Sequence, residues 1–120
     1  MEVASVNLGR SPVDGGYIGS VSFEGNVRLS GSPFLLGADA PEALCFNVDD
    51  DSAHHLPRMR HDDRSVWFCF ENQEAARQRL EPHLGNPVEV EISGYSTVYD
   101  YTDAHDTARL EAARESGMDR

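Results

Sequence analysis

Apolar and polar residues alternate through most of the chain, and a period of two predicts strands. From Tyr17 the run YIGSVSFEGNVRLSG sets Val21 and Phe23 between serines, then Val27 and Leu29 beyond Gly25-Asn26. A Gly-Asn pair inside such a pattern is either a hairpin turn or a bulge bending one long strand. Gly31-Ser32-Pro33 is expected to end that element, leaving PFLLGADAPE as a loop with an apolar plug. In ALCFNV, residues 43–48, Leu44, Phe46 and Val48 share one face, with Cys45 and Asn47 on the other. In SVWFCF, residues 65–70, Val66, Phe68 and Phe70 oppose Trp67 and Cys69. The two runs read as an antiparallel pair, which sets Cys45 and Cys69 on a common face.

The period then changes. ENQEAARQRLEPHLG repeats Ala76, Leu80 and Leu84 at helical spacing, with Asn72 as the expected N-cap and Glu74 in the first turn. Pro82 strains the helix end, and Gly85 with Asn86-Pro87 stops it. NPVEVEISGY returns to alternation, with Val88, Val90 and Ile92 inward, Glu89 and Glu91 outward, and a bend at Gly94. Thr97, Tyr99 and Tyr101 continue the phase. Residues 107–112 admit either a short strand or, through Ala108, Ala112 and Ala113, a helix. Residues 1–16 read as a loose leader with room for a short strand at Val3–Val6, and 113–120 as a flexible tail.

The resulting order, three strands, helix, strand and a last element, is that of a five-stranded OB-fold-like barrel over residues 17–112, mainly β, with one helix between strands three and four. Barrel closure removes exposed edges, so 107–112 is taken as the fifth strand. The alternative is a sandwich-like or α+β sheet with a terminal helix. VWFCFENQEAARQRLEPHLGNPVEVEISGY followed by DTARLEAA resembles the bacterial OB domains called tRNA-anti-like. The matching pieces are Trp67–Phe70, Asn72–Leu84, Val88–Gly94 and Ala108–Leu110, and a Tyr-rich insertion at 95–106 departs from that pattern. The resemblance implies the fold and no particular activity.

Composition changes the picture mainly through charge. Among 120 residues, 21 acids face 10 bases, all arginine, for a net charge of −11. Such a surface repels nucleic-acid phosphates and anionic membranes, and favours basic protein partners or solubility alone. The first residues lack the basic start and apolar run of a signal peptide. No stretch approaches the roughly 18 apolar residues of a membrane span. A cytoplasmic location is therefore expected.

DDDSAHHLPRMRHDDR, residues 49–64, packs five Asp, three His and three Arg into one connection. As a calcium loop it fails, because Ser52 stands where Gly is needed and Arg58 where a bidentate Glu is needed. As a zinc site His54, His55 and His61 are badly phased, since adjacent histidines point apart on a regular element and no cysteine joins them. The connection reads as a solvated loop in which Arg58, Arg60 and Arg64 partly neutralise the aspartates. A second Asp/His group, Asp100, Asp103, His105 and Asp106, would need to converge on it. The two cysteines are either a cross-strand disulfide or two small buried apolar side chains, and a cytosolic chain favours the latter.

The remaining constellation is aromatic. Trp67 faces outward beside Asn47, and Tyr95, Tyr99 and Tyr101 lie in the connection before the last strand. On an OB-fold this is the ligand face. Such aromatics serve base stacking, a protein interface, or a satellite core beneath a long loop. Base stacking wants a cationic groove, and this region is acidic. The expected site is thus a protein-binding surface made of Trp67, Tyr95, Tyr99, Tyr101, Asp49, Asp50, Asp51, Asp62 and Asp63. It carries no catalytic, metal or cofactor role. The alternatives are a single-stranded nucleic-acid module and a metal- or redox-dependent enzyme. No GxSxG, phosphate-cradling Gly loop or HExxH supports an enzyme.

Overall fold

The computed structural model describes residues 1–10, 17–37, 42–56, 66–99 and 106–115. The elements are β1 Glu2–Arg10, β2 Tyr17–Leu36, β3 Ala43–Val48, a single helical turn α1 Asp50–Ala53, β4 Trp67–Phe70, α2 Gln73–Leu80 with a 3-10 turn at Glu81–His83, β5 Val88–Tyr99 and β6 Thr107–Glu115. All six strands belong to one sheet, in the order β1-β2-β3-β4-β6-β5, with a further pairing of β2 to β5. Those pairings carry the sheet round a partial ring. The ring is antiparallel except for β4–β6, which is parallel and spans two register pairs, Cys69↔Thr107 and Phe70↔Ala108.

β2 runs for 20 residues and serves several partners. Its first half pairs with β1 on one flank and β5 on the other. Gly25-Asn26 is a bulge, as the register with β5 jumps between Glu24 and Val27, and Gly25 takes φ 125°, open to glycine. The strand does not end at Gly31-Ser32-Pro33. Gly31 is the last partner of β5, through Val88, and the first of β3, through Val48. Beyond it, residues 32–36 pair with β3 along one flank, so Pro33 leaves no ladder bond unmade toward β5. This explains why a stop signal in sequence sits inside a strand.

The expected inward positions form the core. Leu29, Leu44, Phe46, Phe68, Leu80, Val88, Val90 and Ile92 are essentially inaccessible. Phe68 meets Phe70 edge-on at 5.3 Å and Phe46 at 5.8 Å. Full burial of each such side chain contributes about 1.5–3 kcal/mol. α2 closes one end of the ring through Ala76 and Leu80.

Three expectations shift. Residues 2–10 are a nine-residue strand paired to β2 where a loose leader was expected, because Glu2–Arg10 finds ladder partners along Tyr17–Glu24. Residues 107–112 are strand as expected, but the strand runs on to 115 into the expected tail, with Ala113 opposite Val90. Asn72 makes no side-chain cap to α2. Its Nδ2 donates to the Leu110 carbonyl at 2.8 Å while its Oδ1 accepts the Leu110 N–H at 2.9 Å. Gln73 does the same toward β3. Its Oε1 accepts the Leu44 N–H at 2.7 Å, and its Nε2 donates to the carbonyls of Leu44 at 2.9 Å and Phe70 at 2.6 Å. Two side-chain amides thus continue the ladders where β4 stops.

Candidate functional site

The outer face of β2, β3 and β4 follows from alternation. Directly opposed residues share a face, so the pairs Phe34↔Cys45 and Cys45↔Cys69 form one row, and Ser32↔Asn47 and Asn47↔Trp67 the next. Phe34 and Trp67 reach toward each other across these rows. Their rings meet edge-on with centroids 5.9 Å apart at 66°. Both are half-buried, Asn47 between them is exposed, and Leu36 and Ala43, one step along the same face, are half-buried. Cys45 and Cys69 are joined by a disulfide and are 0% and 2% exposed. The expectation of two unbridged cysteines is corrected: direct opposition on adjacent antiparallel strands brings the sulfurs together.

The first half of the charged connection is anchored to this face. The Val48 N–H donates to the Val66 carbonyl and the Asp49 N–H to the Ser30 carbonyl, at 2.9 and 2.8 Å. Ser52, buried, accepts the Ser30 N–H at 3.0 Å and shares a 2.9 Å hydroxyl bond with Ser30. Leu56 plugs the core at 4% exposure. Asp49, Asp50 and Asp51 are consequently held outward, exposed, two to four positions along the chain from Asn47. The order within 49–56 is thus serine and leucine inward, aspartate outward. His54 and His55, expected to point apart, lie together with ring centroids 4.0 Å apart and planes tilted by 41°, because the chain leaves α1 there and the regular-element rule lapses.

Tyr95 does not belong to the surface. It lies within β5 with its ring in the core at 3% exposure, edge-on to Phe68 at 6.0 Å, and its hydroxyl donates to the Asp106 carboxylate. It is removed from the candidate site, since the inward phase of Val88, Val90 and Ile92 carries through the bulge to Tyr95. Asp106 is thereby drawn to Tyr95. Tyr99 closes β5 opposite Gly19. Tyr101, Asp62, Asp63, Arg58, Arg60, Arg64, His61, Asp100, Asp103 and His105 lie outside the described residues. Phe34 was missed, because Pro33 was read as the end of the strand. The signal that would have found it is the spacing of Phe34 and Leu36, which keeps the phase of the strand.

Other outward carboxylates are engaged locally. Glu89 bridges Arg114 at 2.7 Å, and Arg109 lies between Glu71 and Glu111 at 3.7 and 3.5 Å. On the far side, Ser5, Ser22, Ser96 and Thr107 line a groove of about 380 Å³ flanked by Glu24 and Glu71. Among the described residues, no group of three or more His, Cys, Asp or Glu could hold a metal ion. No helix among them is long and apolar enough to cross a membrane. Set against protein-family models, curated proteins and solved structures, the chain matches none of the three.

Proposed function

We propose that the chain acts by binding a protein with a basic surface, through Phe34 and Trp67 as apolar anchors and Asp49–Asp51 as the charged rim. The observation that carries this reading is the aromatic pair, half-exposed, on the same strands that hold the acidic turn. Aromatic anchors beside a charged rim are the common anatomy of an interface. Carboxylates held outward on a chain of net charge −11 speed encounter with a cationic partner and reject anionic ones. Inhibitors, immunity or antitoxin-type proteins and phage-encoded blockers are the functional classes that fit. Within them, a carboxylate array that imitates nucleic-acid phosphates and fills a basic groove is the more specific form.

We further propose that the partial ring is an OB-fold-like barrel of the tRNA-anti-like kind. Supporting this are the three-strand, helix, two-strand order of β2 to β6 and the parallel pairing of the third and fifth of those strands. In that frame the Phe34–Trp67 face is the one on which OB-folds take their ligands.

The test uses Trp67, the one tryptophan. Titration with mixed single-stranded DNA and RNA at low salt is expected to leave its fluorescence unchanged. Quenching that fades as salt is added would replace the protein-binding reading with the nucleic-acid one. In parallel, wild-type bait and a bait carrying D49N, D50N, D51N and W67A are presented to a cell extract. A basic protein held by the first, released by salt and lost from the second is the expected result. Identical captures by both would end the proposal.

A further inference from the structure

The Cys45–Cys69 bridge lies on the outward face of the sheet, away from the core of the ring, and yet both residues are almost wholly inaccessible. Asn47, one step along β3 on the same face, is exposed. The sulfurs therefore have a cover that Asn47 lacks. Phe34 stands directly beside Cys45 in the register row, and Trp67 reaches over from β4 to meet it with ring centroids 5.9 Å apart. Among the described residues, this aromatic pair is what spans β3 at that level.

The backbone leaves that row to the bridge. The Val48 N–H bonds the Val66 carbonyl, and antiparallel ladders alternate, so Phe46↔Phe68 is a hydrogen-bonded pair and Cys45↔Cys69 is not. The Cys69 N–H points the other way, to the Asp106 carbonyl beside β6. β4 is four residues long and makes three register pairs with β3. A covalent link holds a large share of so short a pairing, and the strand it holds is the one that carries Trp67.

We propose that Cys45–Cys69 is a thiol-sensitive switch beneath the binding face, with Phe34 and Trp67 as its lid. This deepens the reading of that face as a binding surface and rests on it. Bridged, the cysteines fix β4 against β3 and the aromatic pair closes over them. A thiolate of a dithiol reductant attacks one cysteine sulfur in line with the S–S bond, and the other cysteine leaves as a thiolate. The second thiol of the reductant resolves the mixed disulfide. The reductant departs oxidised, and two electrons and two protons pass to Cys45 and Cys69. The bond runs across the strands, so the approach to the Cys45 sulfur comes from the Phe34 side. Two unbonded sulfurs need van der Waals separation, and the room for it lies under the Phe34–Trp67 contact. Reduction thus parts the two anchors, while Phe46 and Phe68 on the opposite face stay packed in the core.

The test applies dithiothreitol to the full chain without denaturant. Two thiols per chain are expected to appear slowly, with the Trp67 emission moving to the red and the far-UV circular dichroism retained. Oxidised glutathione should reverse the change. Phe34→Ala and Trp67→Ala, each with circular dichroism matched to wild type, should release thiols roughly 10-fold faster or more, since either opens the bridge to attack. The C45A/C69A variant should show the emission of the reduced chain and ignore dithiothreitol. Equal rates in wild type and both lid variants would overturn the proposal. So would an unmoved Trp67 emission once both thiols are free, or thiol release only as the circular dichroism collapses, which would make the bridge purely structural. None of these readouts involves a partner, so failure of the switch and failure of the binding reading in the extract capture are separate results.

Discussion

Gly31 shows what a single position decides. It touches partners on both flanks of β2, and a Cβ there would stand 1.9 Å from the Asn47 carbonyl oxygen and 2.9 Å from the Phe46 ring. Backbone and a buried aromatic cannot both give way. Gly31→Ala is expected to cost about 3 kcal/mol or more, at the upper end of overpacking, read as a drop in the urea midpoint with unchanged slope. Full stability in that variant would mean β2 and β3 lie further apart here. The sequence showed Gly31 as a terminator because Gly-Ser-Pro is turn chemistry locally. The crowding that demands glycine comes from Asn47 and Phe46, 16 and 15 positions away along the chain, and no local pattern carries it. Tyr95 failed as a surface residue for a related reason. Its neighbours looked like loop, and the inward phase of β5 survives Gly94 only because a bulge resets it.

At the scale of elements, what alternated cleanly was legible. β3, β4 and the first half of β5 lie where period two put them, with their inward sets in the core. β1 and the end of β2 were not legible: β1 mixes exposed valines with serine and asparagine because one face of it covers no core. The β3–β4 pair sets the cysteines on one face in the sequence, and only the expected cytosolic location argued against joining them. Their bridge closes a loop across a sequence separation of 24, which in the chain-entropy account contributes about 3–4 kcal/mol by restricting the unfolded chain. The C45A/C69A double variant, compared with wild type under non-oxidising denaturation, should lose that amount. A loss below about 1 kcal/mol would mean the sulfurs are not bridged in solution. The comparison bears on location too, because a persistent bridge belongs to compartments that do not reduce thiols.

The whole molecule hangs on how its ring closes. The β2–β5 ladder runs from Gly19 to Tyr99 through to Gly31 and Val88, whereas the seam between β4 and β6 holds two register pairs. Backbone bonds extend that seam slightly, from the Cys69 N–H to the Asp106 carbonyl at 3.0 Å and from the Glu71 N–H to the Ala108 carbonyl at 2.9 Å. Beyond them the strand has turned into α2, and the Asn72 amide takes over with its two bonds to Leu110. The side chain therefore does on one flank of β4 what Gln73 does on the other, and the ring stays shut for longer than β4 itself lasts. Removing it should open the seam before anything else. Asn72→Ala is expected to cost about 2–3 kcal/mol, the loss of two part-buried bonds with the Leu110 backbone left unpaired. Its signature should be local. Amide hydrogen exchange should accelerate at Leu110 and Glu71 while the Leu29 and Val90 amides in the β2–β5 ladder keep the protection of the globally unfolding core. Asn72→Asp should restore only part of the loss, because a carboxylate still accepts the Leu110 N–H but offers the Leu110 carbonyl nothing. Uniform acceleration across all strands would instead mean that the ring opens as one unit and that Asn72 acts as an ordinary helix-start residue.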